Sequence, residues 1–92
     1  KLGRHEEALT AYNMTIEIDP KLTEAWYNKG SALNYLFRHK EALTAFDKVI
    51  EIDPKLARAW FNKGNALVKL GRHEEALSAS NMAIETDPEH AV

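Results

Sequence analysis

The chain contains no cysteine, only four glycines and three prolines, and no long apolar stretch. The lack of cysteine excludes disulfides and thiolate chemistry but leaves the cellular compartment open. No segment approaches the ~20 apolar residues that a membrane-spanning helix needs. The net charge is −2 with both signs mixed along the chain, whereas nucleic-acid-binding proteins commonly carry a basic stripe. We therefore expect neither nucleic acid nor membrane as a partner.

What the sequence does contain is a strict repeat of 34 residues. Pro20, Pro54 and Pro88 are 34 residues apart, and so are Trp26 and Trp60. A fixed period of this length means that one small structural unit is stacked on copies of itself. The repeat therefore predicts an elongated array that presents a surface to other molecules, rather than a pocket for catalysis.

The copies align without a gap. Residues 55–88 are identical to residues 21–54 at 20 of 34 positions, and residues 69–88 match residues 1–20 at 16 of 20. We therefore divide the chain into the second half of a unit (1–20), two complete units (21–54 and 55–88) and the start of a further unit (89–92). Because the chain starts and stops inside the pattern, we interpret it as part of a longer array.

Each complete unit has two stretches in which apolar residues recur at helical spacing. In the last unit these residues are Leu56, Ala59, Trp60, Leu67 and Leu70, followed by Ala76, Leu77, Ala79, Ala83 and Ile84. Gly71 separates the two stretches, and Pro88 pushes Asp87 out of the helical region. The sequence thus predicts five helices, near 5–18, 22–35, 39–52, 56–69 and 73–86.

The recurring residues resemble the tetratricopeptide repeat, whose signature is Trp-x2-Leu-Gly-x2-Tyr, then Ala-x3-Phe, then Pro. The matching residues are Trp26, Gly30, Leu33, Ala42, Phe46 and Pro54 in the first complete unit, Trp60, Gly64, Leu67, Ala76 and Pro88 in the second, and Ala8, Tyr12 and Pro20 in the half unit. The match covers essentially the whole chain. The resemblance implies an all-α protein, a right-handed α-solenoid of antiparallel helix pairs with about five helices.

Some positions depart from the usual pattern and bear on packing. Lys29 and Lys63 replace the usual leucine, so we expect their stems to lie along the helix surface with the ammonium groups in water. Phe37 stands where the next unit has Gly71; because phenylalanine is strained at a positive φ, we expect this turn to be built differently. Ser80 replaces the large aromatic residue of the signature, which predicts a looser last unit.

We expect no catalytic residue, cofactor or metal site, and hence no enzyme. The sequence has no glycine-rich phosphate loop, serine nucleophile elbow or CxxC pair. His5, His39 and His73 recur with the repeat, but equivalent positions in stacked units should lie about 8–10 Å apart. Metal ligands lie ~2 Å from their ion, so we interpret these residues as solvated surface histidines.

The resemblance also implies a binding surface, because in this family the first helix of each unit lines a concave groove. The predicted groove residues are Glu24, Tyr27, Asn28, Ser31 and Asn34 in one unit and Arg58, Phe61, Asn62, Asn65 and Val68 in the next. Such a face would hold an extended peptide through hydrogen bonds to the asparagines and apolar contacts with the two rings. The alternative is that both rings support neighbouring helices and that the asparagines are simply solvated.

A narrower form of this groove is the carboxylate clamp of chaperone-binding members, which the chain resembles only in part. Asn28 and Arg58 occupy matching positions, but Asn62 stands where the clamp needs a second basic residue. Tyr27 and Ser31 do not match the first helix of the clamp either. Without converging cations, a carboxylate loses most of its charge-assisted hydrogen bonds, so we disfavour the clamp.

Two functions from different classes remain open. The leading one is a protein–protein interaction module that binds a peptide or partner segment of unknown identity. The alternative is a structural role in which the solenoid ends stack head to tail or exchange helices, so that the partner is a second copy of the chain. It is motivated by the inner face of the first helix, with Ala8, Ala11 and Tyr12, which no preceding helix covers, and by the absence of a polar capping helix after the last.

Two further expectations rest on the sequence alone. A regulatory segment attached to an enzyme outside the chain is a third function that this sequence leaves open. The recurring Asn-Lys-Gly and Gly-Arg-His-Glu motifs resemble those of long prokaryotic arrays of this family, so we expect a cytoplasmic protein.

Overall fold

The computed structural model describes residues 2–89, which form five α-helices. They are α1 (Leu2–Ile18), α2 (Thr23–Tyr35), α3 (His39–Ile52), α4 (Ala57–Lys69) and α5 (His73–Thr86). Each helix packs against the next one along the chain, and α2 also contacts α4. The predicted all-α solenoid is therefore confirmed, and the helix bounds agree with the prediction to within one residue except at the start of α1. No helix among residues 2–89 is long and apolar enough to cross a membrane.

The connections between units are built alike at their Asp-Pro pairs. The backbone amide two residues after Asp19 donates a hydrogen bond to its Oδ1 at 3.3 Å, and the equivalent bond at Asp53 is 3.2 Å long. The indole Nε1 of Trp26 donates to the carbonyl of Pro20 at 2.7 Å, and Trp60 makes the equivalent bond at 2.9 Å. Each recurring tryptophan therefore ties the first turn of its helix to the connection that precedes it.

The core consists mainly of small residues. The buried side chains are Leu9, Ala25, Ala32, Leu33, Ala42, Leu43, Ala45, Phe46, Val49, Ala59, Ala66, Leu67, Ala76, Ala79 and Ala83. Alanine at most of these positions lets neighbouring helices approach closely. Phe46, Leu33, Leu67 and Val49 are the largest side chains that are fully buried.

Two residues of the predicted packed face are exposed instead. Leu77 is 64% exposed and Ile84 is 47% exposed. Leu43, which stands one unit before Leu77, is buried in a cluster with Leu67 of α4. Burial at this position therefore depends on the helix of the following unit, and within residues 2–89 no later helix packs on α5.

Phe46 of α3 packs closely over Gly30 of α2. A Cβ atom added at Gly30 would lie 2.8 Å from two carbons of the Phe46 ring and 3.0 Å from a third. The equivalent pair is Gly64 and Ser80, where the nearest atom would be the Ser80 hydroxyl at 3.3 Å. Glycine is thus required under the phenylalanine ring, whereas the last unit has more tolerance at this contact. The looser packing expected of the last unit stays a prediction.

The turn between α2 and α3 corrects one prediction. Phe37 has a φ of 62°, close to the 77° of Gly71. The backbone amide of Arg38 donates to the carbonyl of Leu33 at 2.8 Å, and the backbone amide of Phe37 donates to the carbonyl of Asn34 at 3.0 Å. In the later turn, the amides of Arg72 and Gly71 make the two equivalent bonds, each 2.9 Å long. Both turns are therefore Schellman motifs. The expectation of a different turn is wrong, and Phe37 carries a strain of about 1–2 kcal/mol.

The lysines that replace leucine contact the tryptophans that recur on the same helices. The Lys63 ammonium lies 5.4 Å from the centroid of the Trp60 ring and 2.8 Å from Oδ1 of Asp47. The Lys29 ammonium lies 5.2 Å from the centroid of Trp26. Both ammonium groups thus lie over an indole ring of their own helix, and that of Lys63 is also ion-paired. The expectation that the ammonium groups lie in water stays a prediction.

We predict that Gly30→Ala destabilises the protein and that Gly64→Ala does so far less. Overpacking against Phe46 costs about 1–3 kcal/mol, which is more than the roughly 1 kcal/mol that alanine gains over glycine in a helix. At Gly64 the Ser80 hydroxyl can rotate away, so the helix propensity offsets the crowding. Urea denaturation of the two variants and the parent measures the difference in free energy of unfolding. Equal losses in the two variants would contradict the role given to Phe46.

Candidate binding groove

The predicted groove residues lie at steps of three or four along α2 and along α4, so each set occupies one helix face. Seven of the ten are exposed, and these are Glu24, Asn28, Ser31, Arg58, Phe61, Asn65 and Val68. The other three, Tyr27, Asn34 and Asn62, are half-buried. Each of the three half-buried residues makes a side-chain hydrogen bond, whereas among residues 2–89 none of the seven exposed ones does.

Tyr27 joins α2 to α4 and connects both to the core. Its ring meets that of Phe46 edge-on, with 5.8 Å between the centroids. Its hydroxyl accepts a hydrogen bond from Nδ2 of Asn62 at 2.6 Å. The guanidinium carbon of Arg58 lies 5.0 Å from the centroid of the Tyr27 ring, which is a cation–π contact. These contacts hold the two groove helices in a defined relative position.

The prediction that the three recurring histidines are solvated does not hold for all of them. Nδ1 of His39 donates to Oδ1 of Asn34 at 2.8 Å, since an amide oxygen can only accept. The ring of His5 stacks on Tyr35 with 3.7 Å between centroids. His5 and His39 are half-buried, and of the three recurring histidines only His73 is exposed. The side-chain oxygen of Asn34 is therefore engaged by His39 at the end of α2.

The open part of the groove is apolar and amide-bearing. Phe61 is 57% exposed and Val68 is 48% exposed. The side chains of Asn28 and Asn65 are exposed and have no hydrogen-bond partner among residues 2–89. Of the two rings considered in the sequence, Tyr27 supports the core and Phe61 does not. The alternative interpretation of the groove thus applies to the Tyr27 ring and not to the Phe61 ring. Asn62 is hydrogen-bonded within the protein, whereas the exposed Asn28 and Asn65 agree with either interpretation, and their role in binding stays a prediction.

The charges in the groove do not form an anion site. Arg58 is the only cation among the ten residues, and its guanidinium lies over Tyr27. The converging cations of a carboxylate clamp are therefore not present among these ten residues. Among residues 2–89, no group of three or more histidine, aspartate or glutamate side chains is placed to hold a metal ion.

Sequence reasoning missed the hydrogen bond between Tyr27 and Asn62. The two residues are 35 positions apart in the chain, one more than the repeat. An offset of one from the repeat places residues side by side on successive first helices. A search for complementary polar pairs at that offset is the signal that would have found this bond.

Comparisons with known proteins agree with the repeat. Sequence profiles described as tetratricopeptide repeat match residues 23–56 and 45–78, and a third, described as TPR repeat, matches residues 1–34. The matched ranges begin and end at other positions than the predicted units, so the boundaries of those units stay a prediction. Residues 90–92 of the predicted further unit lie outside the part of the chain that the structure describes. No curated protein was found to match the chain.

Several solved structures have the same fold. The crystal structure of MamA is 26% identical with a TM-score of 0.90, and the match covers 96% of this chain and 52% of MamA. YrrB, described as a TPR protein with an unusual peptide-binding site, is 32% identical with a TM-score of 0.90, covering 98% of this chain and 46% of YrrB. A double mutant of MamA RS-1 is 30% identical with a TM-score of 0.88, and the match covers 96% of this chain and 49% of the mutant. The chain thus spans about half the length of these proteins.

Tyr27→Phe tests the contact that joins the groove helices. Loss of the acceptor leaves the half-buried Asn62 amide without its partner, which should lower the free energy of unfolding by about 1 kcal/mol. The side-chain amide resonances of Asn62 should also move and exchange faster with water. Tyr35→Phe is the matched control, because the Tyr35 hydroxyl has no partner among residues 2–89. Equal effects of the two substitutions would contradict the assignment.

Proposed function

Because the chain belongs to the tetratricopeptide repeat family, we propose that it is a protein-interaction module that binds an extended peptide segment in the groove between α2 and α4. The observation that carries this proposal is the open face formed by Phe61, Asn65 and Val68 beside Asn28, next to a pair of helices already fixed by Tyr27 and Asn62. The mechanism is equilibrium binding, in which no covalent bond is made or broken.

The chemistry of the open face suits a peptide backbone. An asparagine side chain offers both a donor and an acceptor, so Asn28 and Asn65 can pair with the N–H and C=O groups of an extended segment. Phe61 and Val68 supply apolar surface for the side chains of that segment. Because Tyr27 and Asn62 already hold the two helices together, less ordering is needed on binding.

The groove selects by shape and backbone contact more than by net charge. Only Glu24 and Arg58 of its ten residues are charged, and their charges are opposite. Arg58 already lies over the Tyr27 ring. The similarity to YrrB, whose description names a peptide-binding site, supports this general role.

The proposal is tested with a peptide selected from a random display library on the full chain. Phe61→Ala and the double variant Asn28→Ala/Asn65→Ala should each weaken binding of that peptide by about tenfold or more, because they remove an apolar anchor or the backbone-pairing amides. Asn62 is left intact, because its substitution would also release Tyr27. Binding is measured by isothermal titration calorimetry.

Leu77→Ala is the control for this experiment, because Leu77 is 64% exposed and lies on α5, away from the groove. Its affinity for the selected peptide should equal that of the parent. The groove assignment fails if Phe61→Ala and the asparagine variant bind the peptide as tightly as Leu77→Ala does.

Self-association is the second candidate, favoured by apolar side chains exposed on the first and last helices. Met14 and Ile18 of α1 are 60% and 86% exposed, and Leu77 and Ile84 of α5 are 64% and 47% exposed. Association of these faces would raise the solution mass above the 10.4 kDa of one chain. Light scattering over a hundredfold range of about 5 to 500 μM covers the usual affinities of weak dimers.

If the chain self-associates, the variant Ala11→Glu tests whether the exposed face of α1 is the contact surface. Ala11 is exposed on α1, so a charge there should reduce the mass to that of a monomer while leaving the helical content unchanged. A mass that rises equally in the parent and in this variant would reject the α1 surface. A constant monomer mass would reject self-association.

A further inference from the structure

The turn between α2 and α3 differs from its two copies at exposed positions only. Residues 1–7 and 69–75 both read Lys-Leu-Gly-Arg-His-Glu-Glu, whereas residues 35–41 read Tyr-Leu-Phe-Arg-His-Lys-Glu. The differences are Tyr35, Phe37 and Lys40, and all three side chains are exposed. The substitutions therefore add two aromatic rings to the surface and exchange an acid for a base.

Phe37 is unfavourable for the fold where it stands. Its φ of 62° is a conformation that glycine adopts without strain, as Gly71 does in the next unit. The ring is 79% exposed, and its one ring contact among residues 2–89 is an edge contact with His39, with 6.0 Å between the centroids. Tyr35, by contrast, stacks on His5. Packing within the protein thus explains Tyr35 but does not explain Phe37.

Lys40 is also unfavourable for the fold. It lies in the first turn of α3, where the positive end of the helix dipole disfavours a cation and where the copies have Glu6 and Glu74. The nearby Glu41 is already held by Arg38 through two hydrogen bonds of 2.8 and 2.9 Å, which lower the pKa of Glu41. Lys40 has no ion-pair partner among residues 2–89.

Both residues line one surface cavity. Its volume is about 270 Å³, and it lies between the turn at Phe37 and the end of α4. The residues around it are Phe37, Arg38, His39, Lys40, Glu41 and Leu70. None of the ten groove residues takes part, so this turn pocket is separate from the groove. Its chemistry is an apolar pair, Phe37 and Leu70, beside an ammonium group that has no partner.

We propose that the turn pocket is a second binding site, which takes a short acidic peptide segment carrying an apolar side chain. The apolar side chain lies between Phe37 and Leu70, and a flanking carboxylate pairs with Lys40. The sign of the partner's charge follows from Lys40, because Arg38 is paired with Glu41 and lies 3.9 Å from Glu6, whereas Lys40 is the cation beside the pocket that has no ion-pair partner among residues 2–89. Residues that break local rules without a gain in packing are expected at functional sites, and here two such residues meet at one cavity.

The test uses a ¹⁵N-labelled chain and two synthetic peptides. The first is acetyl-Glu-Asp-Phe-Leu-Asp-Glu-amide, and the second has Gly-Gly in place of Phe-Leu as a charge-matched control. We expect the first peptide to shift the amide resonances of residues 36–41 and of Leu70, and the second to bind about tenfold more weakly or not at all. The shifts should diminish in high salt, because Lys40 is exposed.

The double variant Phe37→Gly/Lys40→Glu gives positions 37 and 40 the residues that its copies have there. It should unfold at a higher temperature than the parent and bind the first peptide at least about tenfold more weakly. Because the variant is the more stable protein, the loss of binding cannot come from unfolding. The groove variant Asn28→Ala/Asn65→Ala is the matched control and should bind this peptide like the parent.

Three results would overturn the proposal. The first is that the acidic peptide causes no shifts at residues 36–41 and Leu70, or shifts the groove resonances of α2 and α4 instead. The second is that Phe37→Gly/Lys40→Glu binds the peptide as tightly as the parent. The third is that residues 36–41 shift with protein concentration alone, which would identify a second copy of the chain as the occupant.

Discussion

The close contact between Phe46 and Gly30 is the constraint on which the rest of the structure depends. The absence of a side chain at Gly30 lets the Phe46 ring lie against the backbone of α2. Tyr27 packs against the edge of the same ring, and its hydroxyl then accepts the hydrogen bond from Asn62 of α4. Packing in the core therefore determines how α2 and α4 lie relative to each other, and their faces form the groove.

The parts of the fold that the sequence predicts are those carried by repeating residues. The tryptophans, the Asp-Pro pairs and the small residues at Gly30 and Gly64 all recur every 34 positions, because they make the contacts that every unit needs. Their spacing alone predicts five helices with bounds that agree closely with the structure. The groove faces of α2 and α4 follow from the same spacing, since residues three or four apart share a helix face.

What the sequence does not predict involves at least one residue that differs between units. The bonds of Asn62 with Tyr27, of His39 with Asn34 and of Lys63 with Asp47 each join two helices, and they depend on distances that a linear pattern does not contain. Phe37 shows a different limit. Its steric preference argues against a positive φ, but two backbone hydrogen bonds that close the end of α2 outweigh that preference.

The central claim is that the groove between α2 and α4 holds a peptide. Intermolecular nuclear Overhauser effects between the isotope-labelled chain and an unlabelled peptide selected by display test this claim most directly. We predict contacts from the peptide to the Phe61 ring, to the Val68 methyl groups and to the side-chain amides of Asn28 and Asn65. Contacts confined to α3, to α5 or to the turn pocket would contradict the account, because they would show that the fixed pair of first helices is not the binding surface.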